Sequence, residues 1–278
     1  MTNGTCLLMS GGGSKTAWMA GILAGLAEIC GFFPDFAIAG SGSTYSTAQY
    51  IARNIRPLEI AWKEGKVADK NFINYARLPW NWVDLDYLLY EICKKQVPLN
   101  REDYLNSETN LFIAATNRDS GEIVYFEKPS PDNDRLLEIC RASCAIPGLK
   151  WGGVEIDGQR YCDTHISSSG FYHKKKAREL GAEKTIIVSP GKHHWLTTKL
   201  EDYWVRLRDG KFQRNYRRQE AEMRELEENI EASELIISPM TPLAIDTFSR
   251  HPVEMRNAYM QGYAEVGVNK ELIDFLKM

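Results

Sequence analysis

Two short stretches near the N-terminus carry residue types suited to acyl transfer. Gly11-Gly12-Gly13-Ser14-Lys15 follows one apolar run, and Ala39-Gly40-Ser41-Gly42-Ser43 follows a second. Acyl transfer develops negative charge on a carbonyl oxygen, which fixed backbone N–H groups stabilise well. Three consecutive glycines let the backbone turn its amides toward one point, and a helix starting at Thr16 adds the positive end of its dipole. The second stretch offers a nucleophile. A serine on a strained strand-to-helix elbow needs small residues two before and two after it. Centred on Ser41, every crowded position is small; centred on Ser43, Tyr45 falls where almost no side chain fits. Ser41 is therefore the candidate nucleophile. The competing reading is a Gly/Ser turn that only caps the next helix, a role serine fills well.

A base must accept the serine proton. Ser-His-Asp hydrolases place the nucleophile after several strands and the histidine late in the chain, whereas Ser41 follows only the second strand. None of the five histidines (His165, His173, His193, His194, His251) sits in a setting that marks a general base, and His193-His194 reads as a solvated loop. An aspartate serves directly if partial burial raises its pKa. Asp163 follows an apolar strand end, the kind of junction that carries active groups in α/β folds. A turn or cap is its bland alternative. Asp157 is a rival, but Asp157-Gly158 between two short strands is a hairpin turn signature.

Two other chemistries are weighed and set aside. Gly13-Ser14-Lys15-Thr16 resembles the end of a phosphate-binding P-loop, yet that motif requires glycine directly before the lysine. Cys140 and Cys144, four apart on a predicted helix, form half a metal site with no matching Cys/His pair, so they read as small core residues and no metal is expected.

The elements that must position these residues alternate. Thr5 to Ser10 and Asp35 to Gly40 read as strands, each followed by a helix, Thr16 to Ile29 and Ser43 to Asn54. Residues 56–105 are helical but irregular and aromatic, with Trp62, Phe72, Tyr75, Trp80, Trp82, Tyr87 and Tyr90; they read equally as an acyl-groove wall or lid and as packed core. Asn110 to Thr116 pairs with Ile123 to Glu127, and a helix over Asp132 to Ala145 stops at Ile146-Pro147-Gly148. A hairpin of Val154 to Ile156 and Arg160 to Cys162 precedes a helix over Tyr172 to Leu180, with Gly181 as its cap. A strand at Lys184 to Ser189, helices over 195–208 and 213–231, a strand at Leu235 to Ser238 and a terminal helix over 254–277 complete the chain. This alternation predicts an α/β fold, a mostly parallel sheet with helices on both faces.

At 278 residues the chain can bury a substantial core, and we expect one domain over 1–278. A net charge of −3 gives no case for nucleic-acid binding. No signal peptide or membrane span is evident, and the six scattered cysteines are expected to stay reduced, so a cytoplasmic location is expected, with peripheral contact to a membrane. The basic run Arg206, Arg208, Lys211, Arg214, Arg217 and Arg218 suits anionic headgroups, but acidic residues follow at once, which favours a solvated helical face.

Together these features resemble the patatin-like phospholipases. That family joins a strand, a G-G-G-x-[KR]-G oxyanion loop, a helix, a strand, a G-x-S-x-G elbow and a distant D-G-[GA] aspartate. Gly11 to Thr16 matches the loop, and Pro34 to Gly42 matches the elbow without a gap. Ala142-Ser143-Cys144-Ala145-Ile146-Pro147-Gly148 resembles the family's helix-to-loop block, and Val154 to Asp163 its aspartate-bearing hairpin. The resemblance spans roughly residues 5–190. It implies a three-layer α/β/α domain and a Ser41–Asp163 dyad that cleaves acyl esters of lipids with no cofactor. The implied oxyanion hole comprises Gly11, Gly12, Gly13 and Gly42, with Lys15 and His165 in support. Three departures stand out: Thr16 replaces the last loop glycine, Ala39 and Ser43 replace the elbow's flanking glycines, and Asp163-Thr164-His165 replaces D-G-[GA], which brings a histidine beside the base.

Overall fold

The computed structural model describes residues 4–78, 82–149, 153–191 and 195–277. Trp80 and the His193-His194 pair lie outside these residues. The strands are β1 (Gly4–Met9), β2 (Phe36–Gly40), β3 (Asn110–Asn117), β4 (Ile123–Glu127), β5 (Val154–Ile156), β6 (Gln159–Cys162), β7 (Ala182–Val188) and β8 (Glu234–Ile237). They form one sheet in the order β5-β6-β3-β2-β1-β7-β8, with β4 also on β3. The pairs β3/β2, β2/β1, β1/β7 and β7/β8 are parallel, and the β3–β6 end is antiparallel.

The helices are α1 (Thr16–Glu28), α2 (Ser43–Ile51), α3 (Ile55–Leu58), α4 (Arg101–Asn106), α5 (Arg135–Ser143), α6 (Lys174–Glu179), α7 (Trp195–Arg206), α8 (Gly210–Glu228), α9 (Pro252–Val268) and α10 (Lys270–Lys277). Strand alternation sorts the layers. Leu7, Met9, Ala37 and Ala39 face a large core with α1, α2, α5 and α9, whereas Cys6, Leu8 and Ile38 face Ala177 of α6 on the other side. The result is a three-layer α/β/α architecture. Helix α1 has no polar stripe because it is enclosed: every residue from Thr16 to Leu26 is buried, and Trp18 Nε1 donates to Glu265 of α9 at 2.7 Å.

Three segments differ from their sequence pattern. The terminal helix is two helices, because Asn269 leaves helical geometry and its side chain accepts the Leu272 N–H at 3.0 Å, capping α10. Helices α7 and α8 are separate, as expected, but α8 begins three residues earlier, because the Asp209 carboxylate caps it through the Phe212 N–H at 2.8 Å, and it ends at Glu228. In the aromatic segment, Glu59–Lys63 and Tyr87–Cys93 are π-helical turns, with bonds from Glu64 N to Glu59 O at 2.8 Å and from Lys94 N to Leu89 O at 2.9 Å. Such turns displace side chains from ordinary helical register and are frequent at functional sites.

Candidate active site

Ser41 occupies the tight turn between β2 and α2 with φ of 56°, a left-handed conformation unusual for a non-glycine residue. Its surroundings hold it there. The Ser41 N–H donates to Ser143 Oγ of α5 at 2.9 Å, and that hydroxyl donates to Ala114 O of β3 at 2.6 Å. The Ser41 carbonyl accepts from the Thr44 N–H at 3.1 Å and from Thr44 Oγ1 at 2.9 Å. Ser43 has a different fate: it is fully buried and its hydroxyl is engaged by Gly40 O and Met9 O at 2.9 and 3.2 Å. The structure thus leaves Ser41, not Ser43, facing open space.

The glycine loop lies directly against this serine. A Cβ on Gly11 would sit 2.6 Å from Ser41 Cβ and 3.2 Å from its Oγ, so the backbone approach requires glycine. Gly13 adopts φ of +54°, and a Cβ there would meet Thr247 O at 2.3 Å. The loop is pinned from both sides, by Gly11 N to Ser168 O at 2.7 Å and Ser14 N to Thr247 O at 2.8 Å. This corrects one expectation: the Gly11 N–H is consumed by Ser168, so Gly11 contributes proximity and not a donor. The amides of Gly12, Gly13 and Gly42 have no hydrogen-bond partner among the described residues.

Asp163 leaves the end of β6, with its N–H on Ala145 O at 2.9 Å. Its side chain is buried and Oδ1 has no hydrogen-bond partner among the described residues. Burial pushes its carboxyl well above the usual carboxylate range; the neighbouring Ser41 hydroxyl opposes this, the Glu201 charge adds to it and the His165 charge opposes it. Asp157 instead is an exposed hairpin residue paired with Arg135.

His165 is held by residues that sequence reasoning passed over. Both carboxylate oxygens of Glu201 on α7 accept the His165 backbone N–H at 3.0 Å, and Oε1 also meets the imidazole Nδ1 at 3.0 Å. Tyr216 OH of α8 lies 2.8 Å from the same nitrogen, and Glu220 Oε1 is 3.7 Å from Nε2. Burial lowers the imidazole pKa, but Glu201, Glu220 and Asp202 outweigh it and the net shift is upward. Nothing local in the sequence marks Glu201 or Tyr216, since both sit on amphipathic helices distant in the chain. Ser143 stood inside the helix-to-loop block without a signal of its own.

Two cavities meet at Ser41. One is polar and is lined by Gly11, Gly12, Lys15, Asp163, His165 and Glu201. The other, of about 90 Å³, is almost wholly apolar and runs along α2 toward Ala61, Trp62, Leu89 and Val97. Ser41, Gly13, Ile146 and Thr247 border both. Both π-helical turns face the apolar cavity, so much of the aromatic segment is at once core and cavity wall. In the basic run of α7 and α8, Arg217 pairs with Glu220 at 2.8 Å and Arg218 lies 3.6 Å from Glu122, whereas Arg208 is half-buried over the Trp204 ring.

A profile of the patatin-like phospholipases matches residues 7–171. The chain belongs to the patatin-like phospholipase family. The chain is 31% identical over 111 residues to the uncharacterized protein YjjU of Escherichia coli (strain K12), a match spanning 39% of this chain and 29% of that protein. Its fold resembles the crystal structure of VipD from Legionella pneumophila, with a TM-score of 0.50 at 12% identity over 98% of this chain and 67% of that one. The patatin-like match ends before α7 and α8, so Glu201 and Tyr216 reach the Asp163 loop from outside it. Among the described residues no group of side chains is arranged to hold a metal ion, and no helix is long and apolar enough to cross a membrane.

Proposed function

We propose that this patatin-like protein is a serine acyl hydrolase of lipid esters, of the phospholipase A or carboxylesterase type, working through a Ser41–Asp163 dyad. Ser41 Oγ attacks the acyl carbonyl while Asp163 takes its proton. The oxyanion draws on the N–H groups of Gly12, Gly13 and Gly42. Collapse breaks the ester C–O bond, and Asp163 returns the proton to the leaving alcohol. Water then attacks the acyl-serine with Asp163 again as base, and free acid leaves. The raised pKa of Asp163 suits it to this exchange, because a proton held too weakly is not accepted from a hydroxyl.

The observation that carries the reading is the junction at Ser41: a hydroxyl on a strained turn, beside a buried carboxylate, where a polar cleft opens into an apolar groove. The apolar side suits the acyl chain and the polar side the rest of the ester. Lipid would enter beside Phe248, where Tyr75 and Leu78 stand 41% and 55% exposed, a face suited to peripheral contact with a lipid surface. The test is cleavage of a short-chain p-nitrophenyl ester together with fluorophosphonate labelling. Wild type is expected to turn over and to be modified at Ser41, while Ser41→Ala and Asp163→Asn lose turnover by about a thousandfold or more. Folded wild-type protein that neither cleaves nor labels would instead be a lipid- or partner-binding relative.

A further inference from the structure

The polar cleft contains a histidine–carboxylate pair, His165 with Glu201, that the dyad chemistry does not use. Glu201 clamps the loop bearing Asp163 by accepting the His165 N–H with both oxygens, and it also binds the His165 ring. A carboxylate in this position is a liability, because its negative charge lies close to a buried aspartate that must ionise to act as a base. We propose that His165 is a positioning residue for the dyad: paired with Glu201, it supplies the counter-charge that lets the loop be clamped by a carboxylate while Asp163 still ionises. The inference rests on Asp163 being the base.

The geometry supports each half. Among the described residues, the charged and titratable groups around His165 are Glu201 and Asp202 on α7, Tyr216 and Glu220 on α8, and Asp163 on its own loop. Three of these are carboxylates held from outside the loop, and together they favour the protonated ring. Around Asp163 stand Ser41, Glu201, His165 and the thiols of Cys144 and Cys162. Both thiols are pushed well up by burial, with the Asp163 charge contributing, and remain neutral. Glu201 and His165 act on the Asp163 carboxyl with opposite sign, Glu201 more strongly, while Lys15 lines the same cleft. Removing His165 alone leaves the unfavourable charge in place. Removing both takes away the penalty with its remedy. The glycine that the family places after the aspartate could do neither task, which gives the Thr164-His165 replacement a physical purpose.

The test is a charge cycle read by pH profile. In His165→Gln the acid limb of kcat/KM is expected to move to higher pH, a loss of about tenfold below neutrality that closes on the alkaline side. In His165→Gln/Glu201→Gln the limb returns to the wild-type position or below it, a recovery that a purely structural role would not produce. Glu201→Gln alone keeps an oxygen for the His165 N–H, and its limb moves to lower pH; if His165→Gln does not fold, this variant and the double variant carry the comparison. The carboxyl ¹³C resonance of Asp163, assigned by its loss in Asp163→Asn, gives the same order of titration midpoints whether or not ester is cleaved. Inactive wild type would sink the hydrolase reading and leave that titration to decide the pair. Coincident limbs and midpoints in wild type, single and double variants would overturn the proposal.

Discussion

Ser143→Ala is the most direct probe of how the elbow is held. The Ser143 hydroxyl is fully buried, accepts the Ser41 N–H at 2.9 Å and donates to Ala114 O at 2.6 Å. Alanine leaves a donor and an acceptor buried and unpaired, each costing about 1–3 kcal/mol. Taking both at the lower part of that range gives a loss of about 3 kcal/mol in stability, or roughly 6–12 °C in Tm for a chain of this size. The Ser41 turn stores strain of its own, about 1–3 kcal/mol for a non-glycine residue in the left-handed region. Without Ser143 this strain relaxes by moving Oγ, and a displacement of about 1 Å costs on the order of a hundredfold in rate. The expected pattern is a large fall in kcat with KM nearly unchanged, because the apolar groove is untouched. Urea or thermal melts and p-nitrophenyl ester kinetics on Ser143→Ala read both effects. A variant with wild-type Tm and wild-type kcat would refute the argument that this bridge maintains the turn.

Acid should destabilise the protein through His173. Burial lowers its pKa to about 3, and its Nδ1 meets Tyr125 OH at 3.0 Å. The unfolded imidazole binds a proton below its ordinary value of 6.5 while the folded one stays neutral, so stability falls as pH drops through this window, by about 3 kcal/mol on reaching pH 4. In His173→Gln that slope is expected to be shallower by one proton, measured as urea midpoints at a series of pH values. A second expectation concerns chain length. Ala61 lines the apolar cavity and is nearly buried, so Ala61→Leu should lower kcat/KM about tenfold for long-chain esters and leave short ones unchanged, as read from an acyl-chain series.

Patterns that belong to one turn or one period were legible without coordinates. The glycine triplet, the small residues around Ser41, the Asp157-Gly158 hairpin and the strand–helix alternation are fixed by local sterics, and each residue type needed there is visible at its own position. What the linear sequence did not reveal was which groups each of these segments would meet. The Gly11 amide looked like a donor to substrate until Ser168, far along the chain, claimed it at 2.7 Å. The bridge from Ser143 to Ser41 spans 102 residues, and Glu201 reaches the His165 N–H across 36. The ionisation of Asp163 was likewise out of reach, because it depends on burial and on two opposed charges that only folding brings together. Local conformation follows from near neighbours along the chain, whereas partner choice and pKa follow from near neighbours in space, and the central sheet decides who those are.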